Sequence, residues 1–413
     1  MLPTDLPAWE RMERTARDLA RRFGAREIRP PVLETTELFV RSVGEVSDIV
    51  EKEMFTVQKG KSSYTLRPEG TAGIARAYLQ AGLAKTHPIQ KVFLIGPMFR
   101  YERPQKGRER QFTQFDFECI GSPDPRFDAE AVHLAALFFE ELGVKAVEVK
   151  MNSMGDGDDR DRWREALREY LAPTIAEHCE LCQKRFERNV ARVLDCKNPR
   201  CQELHADPPR ILDHLSDENR AHFEAVEKHL AAVGRKVTID PGIVRGLDYY
   251  THTVFEVVSP ELGRALCGGG RYDHLLRDLG GPDLGAVGFA IGFEPTLVVL
   301  EELGLLNDLE VEPHDVYVVT TDPELSVEVF QLAEELRRAG LSTVYAVDGR
   351  SFRSQMKQVG GGAVRLAAIL GPDELEAGTV QLKDLAGGEQ VSVPRAEVGE
   401  RARALLAREV EAQ

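Results

Sequence analysis

The chain opens with an amphipathic segment. Residues 8–23 carry apolar side chains at helical intervals, at Trp9, Met12, Ala16, Leu19 and Phe23. Gly24 follows directly, which is typical of the residue after a helix. Pro30 and Pro31 then exclude a helix and favour an extended segment at a sheet edge or an interface. A helix followed by extended chain is therefore predicted at the N-terminus.

The periodicity then changes to that of strands. Residues 62–72 and two long stretches, 91–101 and 110–121, have strand character, with a helix expected near 73–81 between the first two. The two long strands are joined by ERPQKGRE (102–109), which is charged and contains a proline and a glycine. This pattern predicts a strand pair with an exposed basic connection.

Three composition shifts divide the chain. Residues 156–234 are rich in charge, with two helical stretches and no clear strand, which indicates a helical insertion. Residues 304–315 have the composition of a linker, and strands and helices alternate beyond them. We therefore predict a core over 1–310 that contains the insertion, and a small α/β domain with a largely parallel sheet over 315–413.

Composition excludes several classes of protein. The 413 residues carry a net charge of −15, which argues against non-specific coating of nucleic acid but leaves room for a local basic groove. No apolar run reaches the roughly 18 residues of a membrane span, and the N-terminus lacks a secretory pattern. Six cysteines in a chain of this length do not form a disulfide scaffold, so a reducing cytoplasm is expected.

The second long strand has one polar face. Side chains alternate across a strand, so one face carries Phe112, Gln114, Asp116 and Glu118. The simpler interpretation is a solvated outer face. However, the partner strand ends at Arg100 and Glu102, and a guanidinium there is suited to phosphate or carboxylate. The alternative is therefore a polar sheet floor that holds a charged small molecule.

Two further segments leave alternatives open. In TLRPEGTAG (65–73), Arg67, Glu69 and Thr71 point the same way if the segment is extended, and Gly70 permits close approach of a ligand. The alternative is a strand-to-helix turn capped by Thr71. In RGLDYYTHTVFEVV (245–258), the tyrosine pair either lines a site or packs in the core. The triple glycine of CGGGRYDHLL (267–276) lacks dinucleotide-loop spacing.

Four of the six cysteines fall within 23 residues of the insertion. Their spacing, C-x2-C-x13-C-x4-C, approximates a structural four-thiolate zinc site, formed by Cys179, Cys182, Cys196 and Cys201. His178 or His205 could replace one ligand, and the alternative is four reduced thiols in a loose insert. The remaining Cys119 and Cys267 are expected to be buried, with Cys267 a candidate for a pocket wall.

The motifs taken together resemble those of histidyl-tRNA synthetases. RPEGT (67–71), FRYERPQKGRERQF (99–112), RGLDYYTHTVFE (245–256), GGGRYD (268–273) and AVGFAIG (286–292) occur in the family's order. The resemblance covers nearly the whole chain. It implies an α+β catalytic domain on a mostly antiparallel sheet, as in class II synthetases, and a C-terminal α/β anticodon-binding domain.

The resemblance also implies a reaction and partners. Histidine and ATP, with Mg²⁺, would give histidyl-adenylate, and the acyl group would pass to the cognate tRNA. A cytoplasmic homodimer is implied, and Pro31 matches the proline of the family's dimer-forming first motif. The substrate carboxylate attacks phosphorus, so the protein supplies positioning and positive charge.

Residue roles follow from the motif match. The α-amino group of histidine would be held by Glu69, Thr71 and Gln114, and the imidazole by Glu118 and Tyr250, with Gly70 and Tyr249 beside them. The catalytic cations would be Arg100 and Arg245. ATP would also contact Glu102, Arg108 and Phe112, and the tRNA acceptor end would face Arg103 and Gln105.

One position departs from the family pattern. In GFEPTLVVL (292–300), Pro295 replaces the arginine of the third motif, which contributes to the triphosphate site. Losing one charge-assisted contact costs about 1.5–3 kcal/mol. Arg108, Arg245 or Arg271 could compensate. The alternative function is a non-catalytic, histidine-binding paralogue, such as the regulatory subunit of ATP phosphoribosyltransferase, and a pure RNA-binding module is disfavoured by the acidic balance.

Overall fold

The chain forms two compact units, Met1–Leu309 and Glu310–Gln413. The structure is a computed structural model, and it describes residues 1–44, 49–194, 196–243, 249–307, 309, 311, 313–347, 351–359 and 363–411. No helix among these residues is long and apolar enough to span a membrane.

Strands and helices alternate irregularly along the first unit and regularly along the second. The strands are β1 (Arg26–Glu27), β2 (Leu33–Thr35), β3 (Thr56–Lys59), β4 (Ser62–Leu66), β5 (Gln90–Phe99), β6 (Gln111–Ile120), β7 (Glu148–Ser153), β8 (Val237–Ile239), β9 (Thr251–Ser259), β10 (Arg264–Arg271), β11 (Ala286–Gly292), β12 (His314–Thr320), β13 (Thr343–Tyr345), β14 (Val364–Leu370), β15 (Thr379–Asp384) and β16 (Gln390–Pro394). The helices are α1 (Leu6–Arg22), α2 (Thr36–Val43), α3 (Thr71–Gln80), α4 (Leu83–Thr86), α5 (Pro125–Glu141), α6 (Asp158–Leu171), α7 (Glu180–Arg188), α8 (Pro199–Leu204), α9 (Asp217–Ala232), α10 (Leu275–Asp278), α11 (Phe293–Glu302), α12 (Ser326–Arg338), α13 (Phe352–Val359), α14 (Pro372–Ala377) and α15 (Val398–Glu411).

An eight-stranded sheet is the scaffold of the first unit. Its order is β1-β5-β6-β11-β10-β9-β7-β8, with parallel pairing only at its two edges, between β1 and β5 and between β7 and β8. The mostly antiparallel sheet expected from the resemblance is confirmed. The two long strands pair over their whole length, from Gln90 opposite Ile120 to Phe99 opposite Gln111. Strands β2, β4 and β3 form a separate small sheet.

One face of this sheet is covered by helices. The apolar face of β6 points Phe115 and Phe117 into a core shared with α1, α5 and α11. Phe115 meets the ring of Phe138 of α5 at 5.7 Å and that of Phe289 of β11 at 5.6 Å. Burial of these rings on one side leaves the polar face of β6 on the other.

The insertion contains more helices than the sequence analysis predicted. Four helices, α6 to α9, replace the expected two, because α7 and α8 are too short to show helical periodicity clearly. A small core forms within the insertion around Trp163, Leu167 and Ile211. The predicted absence of strands holds over the described residues of 156–234.

The second unit is built on a five-stranded sheet of order β13-β12-β14-β15-β16. The first three strands are parallel, as expected, but β15 and β16 add to the edge in antiparallel fashion. A short turn joins these two strands. The sequence pattern alone did not distinguish this hairpin from a continued alternation of strands and helices. Helix α12 and helix α15 contribute to the apolar core against this sheet.

Candidate active site

The polar face of β6 is buried. Gln114, Asp116 and Glu118 are 8%, 1% and 1% exposed. A solvated outer face is therefore excluded. The face is covered by the segment that leads into α3 and by the aromatic residues Tyr249 and Tyr272, which line the same cavity. We call Glu69, Asp116 and Glu118 the carboxylate floor.

Glu69 connects the carboxylate floor to the start of α3. Its carboxylate accepts from the backbone N–H groups of Thr71, at 2.7 Å, and Ala72, at 2.9 Å. These groups have no acceptor within the helix, so Glu69 satisfies them. The sequence analysis had considered Thr71 as the cap, but its hydroxyl instead donates to Oε1 of Glu118 at 2.6 Å.

Glu118 is held on both of its oxygens. Thr71 donates to one, and the hydroxyl of Tyr272 donates to the other. A Cβ added to Gly288 would lie 1.7 Å from Oε2 of Glu118, and one added to Gly70 would lie 2.0 Å from Oδ2 of Asp116. A side chain at either position would therefore displace a carboxylate of the floor, because the carboxylates approach the backbone there.

A cavity of about 140 Å³ lies over this face. It is smaller than the roughly 300–1,000 Å³ of pockets for drug-sized ligands, so it suits a ligand of few atoms. Its lining residues come from six segments and are Glu69, Gly70, Thr71, Arg100, Gln114, Asp116, Tyr249, Tyr250, Gly268, Tyr272, Gly288, Phe289 and Ala290. Glu118 is not among them, but Thr71 and Tyr272, which donate to its two oxygens, are.

Among the cavity-lining residues, three buried side-chain atoms have no hydrogen-bond partner in the described part of the chain. They are Oε1 of Gln114 and both carboxylate oxygens of Asp116. Buried acceptors without donors cost free energy, so their persistence indicates that a donor arrives with a ligand. The cavity therefore offers acceptor oxygens to a small, cationic, hydrogen-bond-donating molecule.

Burial perturbs the acids of the carboxylate floor. It raises the pKa of Glu118 to about 8, opposed by the hydrogen bonds from Thr71 and Tyr272. Burial also raises the pKa of Asp116 well above its usual range, and the negative charges of Glu118 and Glu69 raise it further. The pKa of Glu69 is raised by the same cause. A positively charged ligand would stabilise the ionised form of these carboxyl groups.

Arg67 and Arg100, the two arginines near the cavity, have different roles. Arg67 is almost fully buried and donates to the backbone oxygens of Pro97, at 2.8 Å, and Pro30, at 3.0 Å. Arg100 lines the cavity, donates from Nε to the oxygen of Pro68 at 2.8 Å, and lies 5.2 Å from the ring centre of Phe112. Arg67 is therefore structural, whereas Arg100 presents charge at the cavity.

The connecting loop (residues 101–110) joins β5 to β6 and is largely exposed. Gln105 and Arg108 exchange backbone hydrogen bonds at 2.8 and 3.1 Å, which makes a tight turn at its tip. The carboxylate of Glu102 forms long ion pairs with two guanidiniums, that of Arg100 at 3.9 Å and that of Arg108 at 3.8 Å. Arg103 and Gln105 are exposed. The predicted exposed basic connection is confirmed.

The third-motif position lies beside this loop. Pro295 is in the first turn of α11, where its missing N–H breaks no helical hydrogen bond. Glu294 accepts from the backbone N–H of Thr113 at 2.9 Å. A cleft lined by Lys106, Arg108 and Arg264 also includes Pro295.

The structure shows what two of the three candidates to replace the third-motif arginine contact. Arg271 is fully buried and donates to Asp128 of α5, Asp273 and the oxygen of Ser122, so its donors are committed to the core. Arg108 remains available in the connecting loop. Arg245, predicted as a second catalytic cation, lies outside the described residues.

Aromatic rings close the cavity. Tyr249 and Tyr250 have ring centres 4.8 Å apart, and Tyr249 and Tyr272 5.5 Å apart. Tyr249 and Tyr250 directly precede β9, and both line the cavity, which was one of the two alternatives for this pair. Tyr272, which reaches Glu118, received no role in the sequence analysis. Its place in the GGGRYD motif was the only available signal, since its partner is 154 positions away.

The insertion cysteines come together apart from the cavity lining. The sulfur atoms of Cys179, Cys182, Cys196 and Cys201 all lie within 4.8 Å of one another. Cys119 and Cys267 are buried in the sheet, as expected, but neither lines the cavity.

Comparison with known proteins agrees with this geometry. A family model described as histidyl-tRNA synthetase matches residues 1–295, and an anticodon-binding domain model matches residues 315–405. The histidine–tRNA ligase of Geobacillus thermodenitrificans is 45% identical over 408 residues, covering 96% of this chain and 95% of the relative. That of Synechococcus sp. is 43% identical over 404 residues, covering 96% and 95%.

Solved structures show the same fold. The apo histidyl-tRNA synthetase of S. aureus superposes with a TM-score of 0.80 at 34% identity, covering 97% of both chains. A Bacillus halodurans protein described as an ATP phosphoribosyltransferase regulatory subunit/histidyl-tRNA synthetase reaches 0.60 at 21% identity, covering 88% of this chain and 93% of its own. The latter likeness concerns the fold alone. From the motifs, the cavity and the coverage of both domains, this chain belongs to the histidyl-tRNA synthetase family.

Proposed function

We propose that the chain joins histidine to its tRNA in two steps, through a histidyl-adenylate formed from histidine and ATP. Family membership and curated ligases at about 45% identity over nearly the whole chain support this activity. The single observation that carries the proposal is the small acidic cavity beside Arg100, since it suits an amino acid whose carboxylate attacks an adjacent phosphate.

Histidine would lie on the carboxylate floor. Its α-ammonium group would be held by Glu69, Thr71 and Gln114, next to Gly70. The unpartnered Oε1 of Gln114 supports this assignment. Asp116, whose two oxygens also lack partners, is an additional acceptor that motif matching had not included. A donor-bearing cation would relieve both groups at once.

The imidazole would lie between Glu118 and Tyr250, beside Tyr249. Glu118 already accepts two hydrogen bonds, and a carboxylate has room for more, so it can still accept an imidazole N–H. Tyr272 would keep Glu118 oriented. Apolar isosteres of histidine would leave these buried groups unpaired, which is a strong basis for rejection.

ATP would extend from the cavity toward the connecting loop. Arg100 would neutralise the α-phosphate, assisted by Arg245, and Arg108 would reach the outer phosphates. The adenine would stack on Phe112 and be read by Glu102. Mg²⁺ binds mainly through phosphate oxygens and retained waters, so it needs few protein ligands. The ion would screen the charge of the phosphates.

The tRNA would contact both units. Arg103 and Gln105, exposed in the connecting loop, would face the acceptor end. Residues 315–413 would bind the anticodon as a separate domain, and the catalytic core would span 1–310 with the insertion at 156–234. The match of residues 315–405 to an anticodon-binding model supports this division.

We also propose a homodimer in the cytoplasm. The small sheet exposes two apolar side chains: Leu33, which is 48% exposed and close in sequence to the first-motif Pro31, and Val57, which is 59% exposed. Covering this surface with a second copy would remove apolar area from water. None of the six cysteines is in a disulfide, which accords with a reducing compartment. Sedimentation of wild type and Leu33→Arg tests the dimer, since the variant should sediment as a monomer.

Pro295 is the observation that favours a second candidate, a non-catalytic histidine-binding paralogue. The connecting loop and the anticodon-binding domain count against it, because a regulatory subunit needs no tRNA contacts.

Pyrophosphate exchange distinguishes the two functions. Purified protein is assayed with ATP and histidine, and with each other amino acid in turn. We expect exchange with histidine alone. Histidine binding, measured by calorimetry, without exchange would instead establish the paralogue, and neither binding nor exchange would overturn both.

A further inference from the structure

The insertion contains a four-cysteine cluster that the ligase activity does not use. Three of its members, Cys182, Cys196 and Cys201, are buried, and Cys179 is partly buried. They come from two separate segments. In the first, Cys179 directly precedes α7 and Cys182 lies in its first turn; in the second, Cys196 follows a short turn and Cys201 lies in α8. The fold thus brings together four thiols that are up to 22 positions apart.

We propose that this cluster is a structural zinc site with four thiolate ligands. Zinc bound by sulfur at about 2.3 Å in a tetrahedron places its ligands about 3.8 Å apart. The sulfurs of Cys179 and Cys196 are 3.8 Å apart, and all four lie within 4.8 Å of one another. A disulfide would require about 2.05 Å. The spacing therefore surrounds a metal-sized gap rather than a bond.

Backbone groups around the cluster are arranged for thiolates. The N–H of Cys179 donates to the sulfur of Cys201 at 3.3 Å, and the N–H of Asn198 donates to that of Cys196 at 3.5 Å. Four thiolates with Zn²⁺ carry a net charge of −2, so donors to sulfur stabilise the complex. Cys179 also lies at the N-terminus of α7, where the helix dipole favours negative charge.

The neighbouring residues His178 and His205 lie beside the cluster and are not needed as ligands. Nδ1 of His178 contacts the backbone oxygen of Thr174 at 3.0 Å, and its Nε2 contacts Nδ1 of His205 at 3.4 Å. Both nitrogens of His178 are therefore engaged. Four sulfurs fill a tetrahedron without it, which leaves no open position for water or substrate, so the site is structural.

Zinc would stabilise the fold of the insertion by linking its two cysteine-bearing segments. Cys182, Cys196 and Cys201 belong to the same small core as Trp163 and Leu167. A core of this size gives little stability by itself, and metal binding would couple directly to folding of the insertion. Thiolate ligands favour zinc over oxygen-preferring ions such as Mg²⁺. The proposal is independent of the ligase activity.

Metal analysis of the full chain tests the site. Wild-type protein, purified under reducing conditions from zinc-supplemented medium, should contain about one zinc per chain by plasma mass spectrometry. The double variant Cys196→Ser/Cys201→Ser should lose it. The matched control Cys119→Ala removes a buried cysteine outside the cluster and should retain about one zinc.

A second measurement does not depend on the variants folding. Wild type in which zinc is exchanged for cobalt should show the visible bands and sulfur charge-transfer absorption of tetrahedral thiolate coordination. Removal of the metal by a chelator should increase hydrogen exchange within residues 175–215 and leave the exchange of β14 unchanged. Wild type with near-zero zinc, bound iron in its place, or octahedral cobalt would each overturn the proposal.

Discussion

The carboxylate floor and the connecting loop have opposite character, although Asp116 and Glu118 of the floor lie on β6, one of the two strands that the loop joins. Glu69, Asp116 and Glu118 are buried, carry raised pKa values and are partly without donors. The loop that joins β5 to β6 is exposed and presents arginines to solvent; its Arg108 lies 3.8 Å from Glu102, and its Arg110 lies 4.4 Å from the ring centre of Tyr101. The floor can recognise a ligand only in one orientation, whereas the loop can adapt.

This contrast follows from the ligands that we propose for each region. A small cation with fixed donors is distinguished best by desolvated acceptors, which are penalised when a partner is missing. A triphosphate carries charge on many oxygens, and flexible guanidiniums meet it in several ways. Substitutions in the floor should therefore abolish selectivity, and substitutions beside the loop should only adjust affinity.

The largest effect is expected for Glu118→Ala. It removes the acceptor for imidazole and leaves the hydroxyls of Thr71 and Tyr272 without their partner, so kcat/KM for histidine in pyrophosphate exchange should fall by about 10³-fold or more. Circular dichroism should show an intact fold. Unaltered exchange would remove the assignment of Glu118 to the histidine site.

The loop variant Arg108→Ala provides the comparison for that result. It deletes one exposed charge-assisted contact, so KM for ATP should rise about ten- to a hundredfold while KM for histidine stays within about twofold. A loss as large as that of Glu118→Ala would contradict the proposed difference between the two regions.

An intermediate effect is expected where the loop meets α11. Pro295→Arg restores the third-motif charge at a position in the first helical turn, so kcat/KM for ATP should be unchanged or rise up to about tenfold. Pro295→Ala, which changes the backbone without adding charge, should not raise it. If wild type and Pro295→Arg both bind histidine but lack exchange, the paralogue interpretation is correct.

The smallest effect is expected from pH. Because the pKa of Glu118 in the folded protein, about 8, lies above its usual value of 4.5, the protonated form prevails at neutral pH. Imidazole binding needs the carboxylate, so KM for histidine should fall several-fold as pH rises from 7 to 8.5. Initial rates across this range measure it.

Glu118→Gln is the control for the pH effect, since glutamine does not titrate; its profile should be flatter. Stability should change in the opposite sense. The contribution of the protonated Glu118 is present below pH 4.5 and is lost as pH rises through about 8. A wild-type profile identical to that of the glutamine variant would exclude titration of Glu118 as the cause.

Local sequence rules were sufficient for much of this protein. Strand alternation placed Gln114, Asp116 and Glu118 on one face, because the period of two depends only on backbone geometry. The C-x2-C-x13-C-x4-C spacing identified the four cysteines that cluster in the insertion. Family membership also followed from motifs in the right order, and the comparisons confirmed it.

Other features depend on contacts between distant segments. Whether the polar face of β6 is exposed or buried is decided by α3 and the tyrosines that cover it; Thr71 is 47 positions from Glu118 and Tyr272 is 154 positions from it. The same is true of Arg271, which the sequence offered as a phosphate ligand and the fold commits to Asp128. Periodicity determines which side chains share a face. Only tertiary packing determines what lies over that face, and desolvation there gives an ordinary glutamate its raised pKa.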